Sequence, residues 1–152
     1  MTFNGEEKKM VVYPKMAEPF TIGNIKVKNR IVFAPTVMSQ SGPNGEVTDQ
    51  NLCHYVARAK GGAGLIVVEH TLVTYKYSKG TLGMHNNLSK RGWWEISHAI
   101  HYYGAKVVVQ LGLGHGAETS TSRRPDIVLV APSDIPVRIK KENAPVGMKK
   151  LE

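Results

Sequence analysis

Gly61-Gly62-Ala63-Gly64-Leu65-Ile66-Val67-Val68-Glu69-His70 decides the fold. The paired glycines end whatever helix precedes them, because a helix C-terminus favours a residue that tolerates the left-handed conformation. Four consecutive aliphatic residues, three of them β-branched, then read as a strand buried on both faces, the pattern of parallel sheets. The strand ends in two polar residues, Glu69 and His70.

Working back toward the N-terminus, Thr48 can cap a helix reaching about Lys60. Leu52, Tyr55, Val56 and Ala59 fall on one face of it. Before it lies a Gly/Pro/Asn loop, Ser41-Gly42-Pro43-Asn44-Gly45, and before that a second apolar run, Ile31-Val32-Phe33-Ala34, stopped by Pro35. Phe20-Thr-Ile22 and Ile25-Lys-Val27 flank Gly23-Asn24, a hairpin signal. Residues 1–17 read as a polar leader. Working forward, Ser89 is an N-cap candidate for a helix to about Tyr103, with Trp93, Ile96, Ile100 and Tyr103 on its apolar face and Gly104 at its end. Lys106-Val-Val-Val-Gln110 is the third strand. Strand, helix, strand, helix, strand is the order of a parallel α/β fold.

After Gly112 the rhythm stops. Gly112–Pro136 is rich in Gly, Ser, Thr and Pro around one apolar island at Ile127–Val130, and residues 137–152 form a basic tail. Three strands leave open edges, and a closed (β/α)8 barrel takes about 250 residues. The expectation is a partial barrel: a hairpin, the first three parallel strands and two helices, cut before the next helix. Its expected division is a leader at 1–17, the barrel part at 18–136 and a tail at 137–152.

Composition narrows the class of function. The chain of 152 residues is 41% hydrophobic and 21% charged, with 20 Lys and Arg against 12 Asp and Glu, a net charge of +8. No run approaches the roughly 18–20 apolar residues that span a bilayer. Met1–Met10 has no apolar core of a signal peptide. The single cysteine, Cys53, excludes an internal disulfide and a multi-thiolate cluster. These features point to a cytoplasmic protein without a membrane partner. The basic residues fall in two groups near the ends and do not interleave with aromatics, so they read as solvated charge rather than a nucleic-acid groove.

Ligands of parallel α/β folds bind at the carboxyl ends of the strands. Here those ends supply Thr36, Glu69, His70 and Gln110 beside the rigid Pro35. A glutamine carries both donor and acceptor, which suits a heteroaromatic ring with alternating N–H and C=O groups. Gly112-Leu-Gly114-His-Gly116 opens no amphipathic helix and is set aside as a dinucleotide loop. His98, His101 and His115 lack metal-ligand spacing. Cys53 reads as a buried, inert thiol, and Trp93 and Trp94 read as core packing.

At these strand ends the sequence resembles the Old Yellow Enzyme family of flavin-binding barrels, in the branch of 2,4-dienoyl-CoA reductases, enoate reductases and bile-acid oxidoreductases. The segments that carry the likeness are Val27-Lys-Asn-Arg-Ile-Val-Phe-Ala-Pro35, Asn44-Gly-Glu-Val-Thr48, Ala57-Arg-Ala-Lys-Gly-Gly-Ala-Gly-Leu-Ile-Val-Val-Glu69, Val108-Val-Gln-Leu111 and Ala131-Pro-Ser133. The resemblance implies FMN as cofactor and NAD(P)H as reductant. Ala34, Pro35 and Thr36 would lie against the flavin through backbone. Val37 stands where many members have a Thr or Cys that hydrogen-bonds it. His70 stands where a small residue often packs near the ring system, and Gln110 matches the glutamine that addresses the pyrimidine edge. No catalytic residue is carried over, since the family takes its proton donor, oxyanion donors and phosphate loops from later strands.

The activity implied is hydride transfer from NAD(P)H through flavin to an activated C=C bond, or the reverse desaturation, with a small α,β-unsaturated substrate. An iron–sulfur cluster and FAD would belong only to a longer parent protein. The chain alone is expected to be inactive, and the open sheet edge needs the rest of the barrel or another chain to cover it. The alternatives are a non-catalytic, partner-binding product and, behind it, a basic nucleic-acid module.

Overall fold

Amphipathic helices laid against an apolar sheet position everything else in this molecule. The computed structural model describes residues 13–76, 80–114, 130–132 and 149–150. A short helix α1 (Pro14–Ala17) precedes an antiparallel hairpin of β1 (Phe20–Ile22) and β2 (Ile25–Val27), with Ile22 opposite Ile25 across the Gly23-Asn24 turn. A parallel sheet follows, built from β3 (Val32–Phe33), β4 (Leu65–Leu72) and β5 (Lys106–Gly112) in the order β3-β4-β5. Helices α2 (Asp49–Lys60) and α3 (Lys90–Tyr102) are the two crossovers. The strand–helix alternation read from the sequence is therefore the observed one.

Local chemistry explains the element ends. Thr48 accepts from the Asn51 N–H while the Asn51 side chain accepts from the Thr48 N–H, a reciprocal cap that starts α2. Gly62 and Gly104 both have positive φ, +103° and +70°, directly after the two helices. The start of α3 differs from expectation. A 3-10 turn, Asn87–Ser89, leads into the helix, and Asn86 rather than Ser89 provides the cap by accepting the Ser89 N–H at 3.1 Å. Ser89 is buried, and its hydroxyl donates to the Asn86 carbonyl instead.

The core lies between the sheet and the helices. Ile66 and Val68 of β4 meet Tyr55 and Ala59 of α2 and Ile96 and Ile100 of α3, with Phe33, Val107 and Val109 packed around them. Each fully buried aliphatic side chain contributes roughly 1.5–3 kcal/mol. The opposite face is different. Val32 and Val108 are exposed, so the strands are covered on one face among the described residues, not on both as their aliphatic runs suggest. β3 is also shorter than Ile31–Ala34, since only Val32 and Phe33 pair with β4.

The hairpin sits at the amino-terminal end of the sheet. Asn24, Ile25 and Lys26 share a cleft with Leu65 and Lys106, the first residues of β4 and β5. Lys28 fixes it by donating from Nζ to the Tyr103 carbonyl at the end of α3, 2.6 Å away. The segment read as a leader contributes α1, and the Met16 carbonyl accepts from the Arg30 N–H at 3.0 Å. Near the C-terminus, β6 (Val130–Ala131) pairs in parallel with β7 (Lys149–Lys150), an element that the basic tail did not announce. No helix among the described residues is long and apolar enough to cross a membrane.

Candidate functional site

Strand register brings the candidate residues to one end of the sheet. Val32 pairs with Leu65 and Leu65 with Lys106, so the three strands start level. Two residues further on, Ala34 reaches the level of the Val67–Val108 pair, and Thr36, His70 and Gln110 follow at the carboxyl ends. Alternation sets the face. Phe33, Val107 and Val109 turn toward the helices, which leaves Val32, Ala34, Val108 and Gln110 on the opposite face. Ala34, Pro35, Thr36, Val37 and Gln110 are all exposed, Val37 by 54%.

One irregularity shapes this end. The β4–β5 register shifts between Val68 and Thr71: Val68 faces Val109, whereas Thr71 faces Leu111. Two residues of β4, Glu69 and His70, thus stand opposite Gln110 alone, and such a bulge re-aims side chains. Glu69 turns to the helix layer beside Val68 and is buried. His70 lies half-buried against β5, with its imidazole so close to Gly112 that a Cβ there would overlap the ring. The absence of a side chain at 112 leaves room for the ring.

The bulge corrects one sequence expectation. Glu69, read as a ligand-facing donor or acceptor at the strand end, is an internal anchor. The Met38 N–H donates to its Oε2 at 2.9 Å, and its own N–H donates to the Tyr55 hydroxyl at 3.0 Å. Burial pushes the Glu69 carboxyl above the usual carboxylate range, against hydrogen bonds that lower it. Burial likewise pushes the Tyr55 phenol up to about 12. His54, in edge contact with Phe33, is lowered by burial and by the nearby Arg58.

A second group of residues escaped the sequence reading. Tyr75 stacks on His85 with ring centroids 4.0 Å apart and donates to the Thr81 carbonyl. The Gly83 N–H donates to the Gly45 carbonyl at 2.9 Å, and Trp93 Nε1 donates to the Gly83 carbonyl at 3.0 Å. These bonds lock the loop before α2 to the loop before α3 at the rim of the site. No periodicity announces them, because they link irregular segments. Trp93 thus packs as expected, but Trp94 is 60% exposed and stacks on His98. Cys53 is also exposed rather than buried, since it falls on the solvent side of α2. His115 lies outside the described residues.

The arrangement suits a planar, polar heteroaromatic ring. The backbone from Ala34 to Val37 leaves the sheet after Phe33, and the Gln110 carboxamide has no hydrogen-bond partner among the described residues. An exposed apolar Val37, a half-buried imidazole and a carboxamide thus converge on one end of a parallel sheet. The class so defined is a (β/α)8-type barrel segment with its ligand face at the strand carboxyl ends.

Residues 15–152 match the NADH:flavin oxidoreductase / NADH oxidase family, and the chain belongs to it. It is 33% identical over 130 residues to an NADH oxidase of Thermoanaerobacter brockii, covering 84% of this chain and 20% of that protein. An NADPH dehydrogenase of Clostridium acetobutylicum is 36% identical over 121 residues, covering 78% of this chain and 34% of the relative. Among solved structures, morphinone reductase with tetrahydroNAD superposes with a TM-score of 0.73 at 22% identity, over 92% of this chain and 41% of that one. The old yellow enzyme homologue from Zymomonas mobilis gives a TM-score of 0.66 at 25% identity, over 81% and 34%. The fold is thus part of a TIM barrel of the Old Yellow Enzyme type, and the family to which the chain belongs is one of NADH:flavin oxidoreductases. The chain spans 20–38% of the length of the curated relatives it matches.

Proposed function

We propose that this chain supplies one wall of the flavin pocket of an NAD(P)H-dependent oxidoreductase that acts on an activated C=C bond. When bound, FMN would supply the redox chemistry, hydride transfer between NAD(P)H and a small α,β-unsaturated acceptor or the reverse desaturation. The chain's own residues bind and orient. The Ala34–Thr36 backbone lies against the ring system, Val37 presents an apolar contact where a hydroxyl or thiol would donate a bond, and His70 borders the ring. The Gln110 carboxamide offers a donor and an acceptor to the pyrimidine edge. Barrel residues at 18–136, preceded by a leader and followed by a basic tail, make up this wall, and the exposed sheet face receives the rest of a barrel.

The observation that carries this reading is the convergence of Pro35, His70 and Gln110 at the carboxyl ends of adjacent parallel strands. The test is titration of the chain with FMN at up to millimolar concentration, read by the visible flavin band, in wild type and in Gln110→Leu. Binding weakened several-fold by the substitution supports the assignment. Equal binding by both proteins removes Gln110 from the site.

A further inference from the structure

Glu69 is a charged side chain buried in the helix layer, yet its tightest bond reaches away from that layer. The Met38 N–H donates to Oε2 at 2.9 Å, across 31 residues of sequence. Its other neighbours are longer or indirect. The Tyr55 hydroxyl approaches Oε1 at 3.5 Å and Thr81 Oγ1 approaches Oε2 at 3.4 Å. The Thr81 hydroxyl proton is directed instead at the His70 carbonyl, 2.7 Å away. The carboxyl group therefore ties the turn after β3, through the Met38 N–H, to the end of β4, on which Glu69 itself stands beside His70.

The turn needs such an anchor. No ladder bond holds it, because β3 ends at Phe33. Its next residue, Ser39, sits in the left-handed region at φ 54°, the one non-glycine with positive φ among the described residues. A non-glycine there is held by its surroundings. A carboxylate buried without bonds is also strongly disfavoured, so the pair Glu69–Met38 satisfies both groups at once.

We propose that Glu69 is a positioning residue for the flavin site: it sets the Pro35–Met38 turn through the Met38 amide. This rests on the flavin reading above and adds to it the residue that shapes the turn. A carboxylate is not required at 69, but an acceptor aimed at Met38 is. Glutamine keeps that acceptor, whereas methionine fills the same volume without it.

The test compares wild type, Glu69→Gln and Glu69→Met by amide hydrogen exchange at Met38, by backbone chemical shifts of Val37 and Ser39, and by FMN titration. Glu69→Met should raise Met38 exchange at least ten-fold and move the Val37 and Ser39 shifts toward random-coil values, while Glu69→Gln stays within about three-fold of wild type. FMN affinity should follow the same order. Unchanged Met38 exchange in a folded Glu69→Met protein overturns the assignment, as does equal loss in the Gln and Met variants. Should the Met variant not fold, an ester replacing the Met38 amide deletes the N–H, at the cost of a weaker Val37 carbonyl acceptor, and unaltered Thr36 and Ser39 amide shifts then overturn it. Failure of wild type to bind FMN overturns the flavin reading instead, and the exchange and shift measurements still decide whether Glu69 sets the turn.

Discussion

Replacing Gly112 by alanine drives a methyl group into the His70 imidazole, which already lies against the glycine. The β5 backbone is fixed there by pairing of Leu72 with Gly112, so the ring must yield first. Forcing a side chain off its rotamer costs on the order of 0.5–1.5 kcal/mol, whereas displacing a packed strand costs about 1–3 kcal/mol. The ring is half-buried and can turn, so the lower range applies, and Gly112→Ala should destabilise the chain by about 1 kcal/mol. At this chain length that lowers Tm by roughly 2–4 °C. His70→Ala removes the obstacle, and in that background the same substitution should change stability by less than about 0.5 kcal/mol. Urea unfolding of the four proteins yields the coupling energy directly. Equal destabilisation by Gly112→Ala in both backgrounds would refute the packing of imidazole on glycine.

Three further outcomes follow from the same contacts. Gly64→Ala places a Cβ 2.5 Å from Asn29 Oδ1 and 2.8 Å from the Asn29 carbonyl oxygen; thermal unfolding should show a loss of about 1–3 kcal/mol, and Asn29→Ala should relieve only the side-chain part of it. Ile100→Ala empties a fully buried position between α3 and the sheet, so denaturant unfolding should show a loss of about 2–5 kcal/mol. The raised carboxyl of Glu69 binds its proton more tightly in the folded than in the unfolded chain. Its contribution to stability therefore falls as pH rises from the ordinary carboxylate value of 4.5 through the folded value; urea midpoints across that window should drop more steeply in wild type than in Glu69→Gln, and parallel curves would contradict it.

Regular structure was legible because it is written in local patterns. Gly-Asn between alternating residues announced the hairpin, the aliphatic runs announced β4 and β5, and Thr48 announced α2. Periodicity does not register which face of a strand is covered, so the exposure of Val32 and Val108 followed only from the packing. It also cannot register a bulge. Counting by twos from Val68 puts Glu69 on the ligand face, and one shifted register between Val68 and Thr71 moves it to the other side. The candidate positions Pro35, His70 and Gln110 were legible because strand ends are marked by where aliphatic runs stop. Their anchors were not. Met38, Tyr55 and Thr81 meet Glu69 from a turn, a helix and a loop, and only the fold brings them together.

The central claim is that the carboxyl ends of β3, β4 and β5 form a flavin-facing wall. Mapping the amide and side-chain chemical shifts of the labelled chain during FMN titration tests it most directly. The largest changes should cluster at Ala34–Val37, His70 and the Gln110 carboxamide, while Asn24–Lys26 and Lys106 at the opposite end of the sheet stay still. Changes concentrated at the hairpin end, or spread evenly over the basic surface, would contradict it.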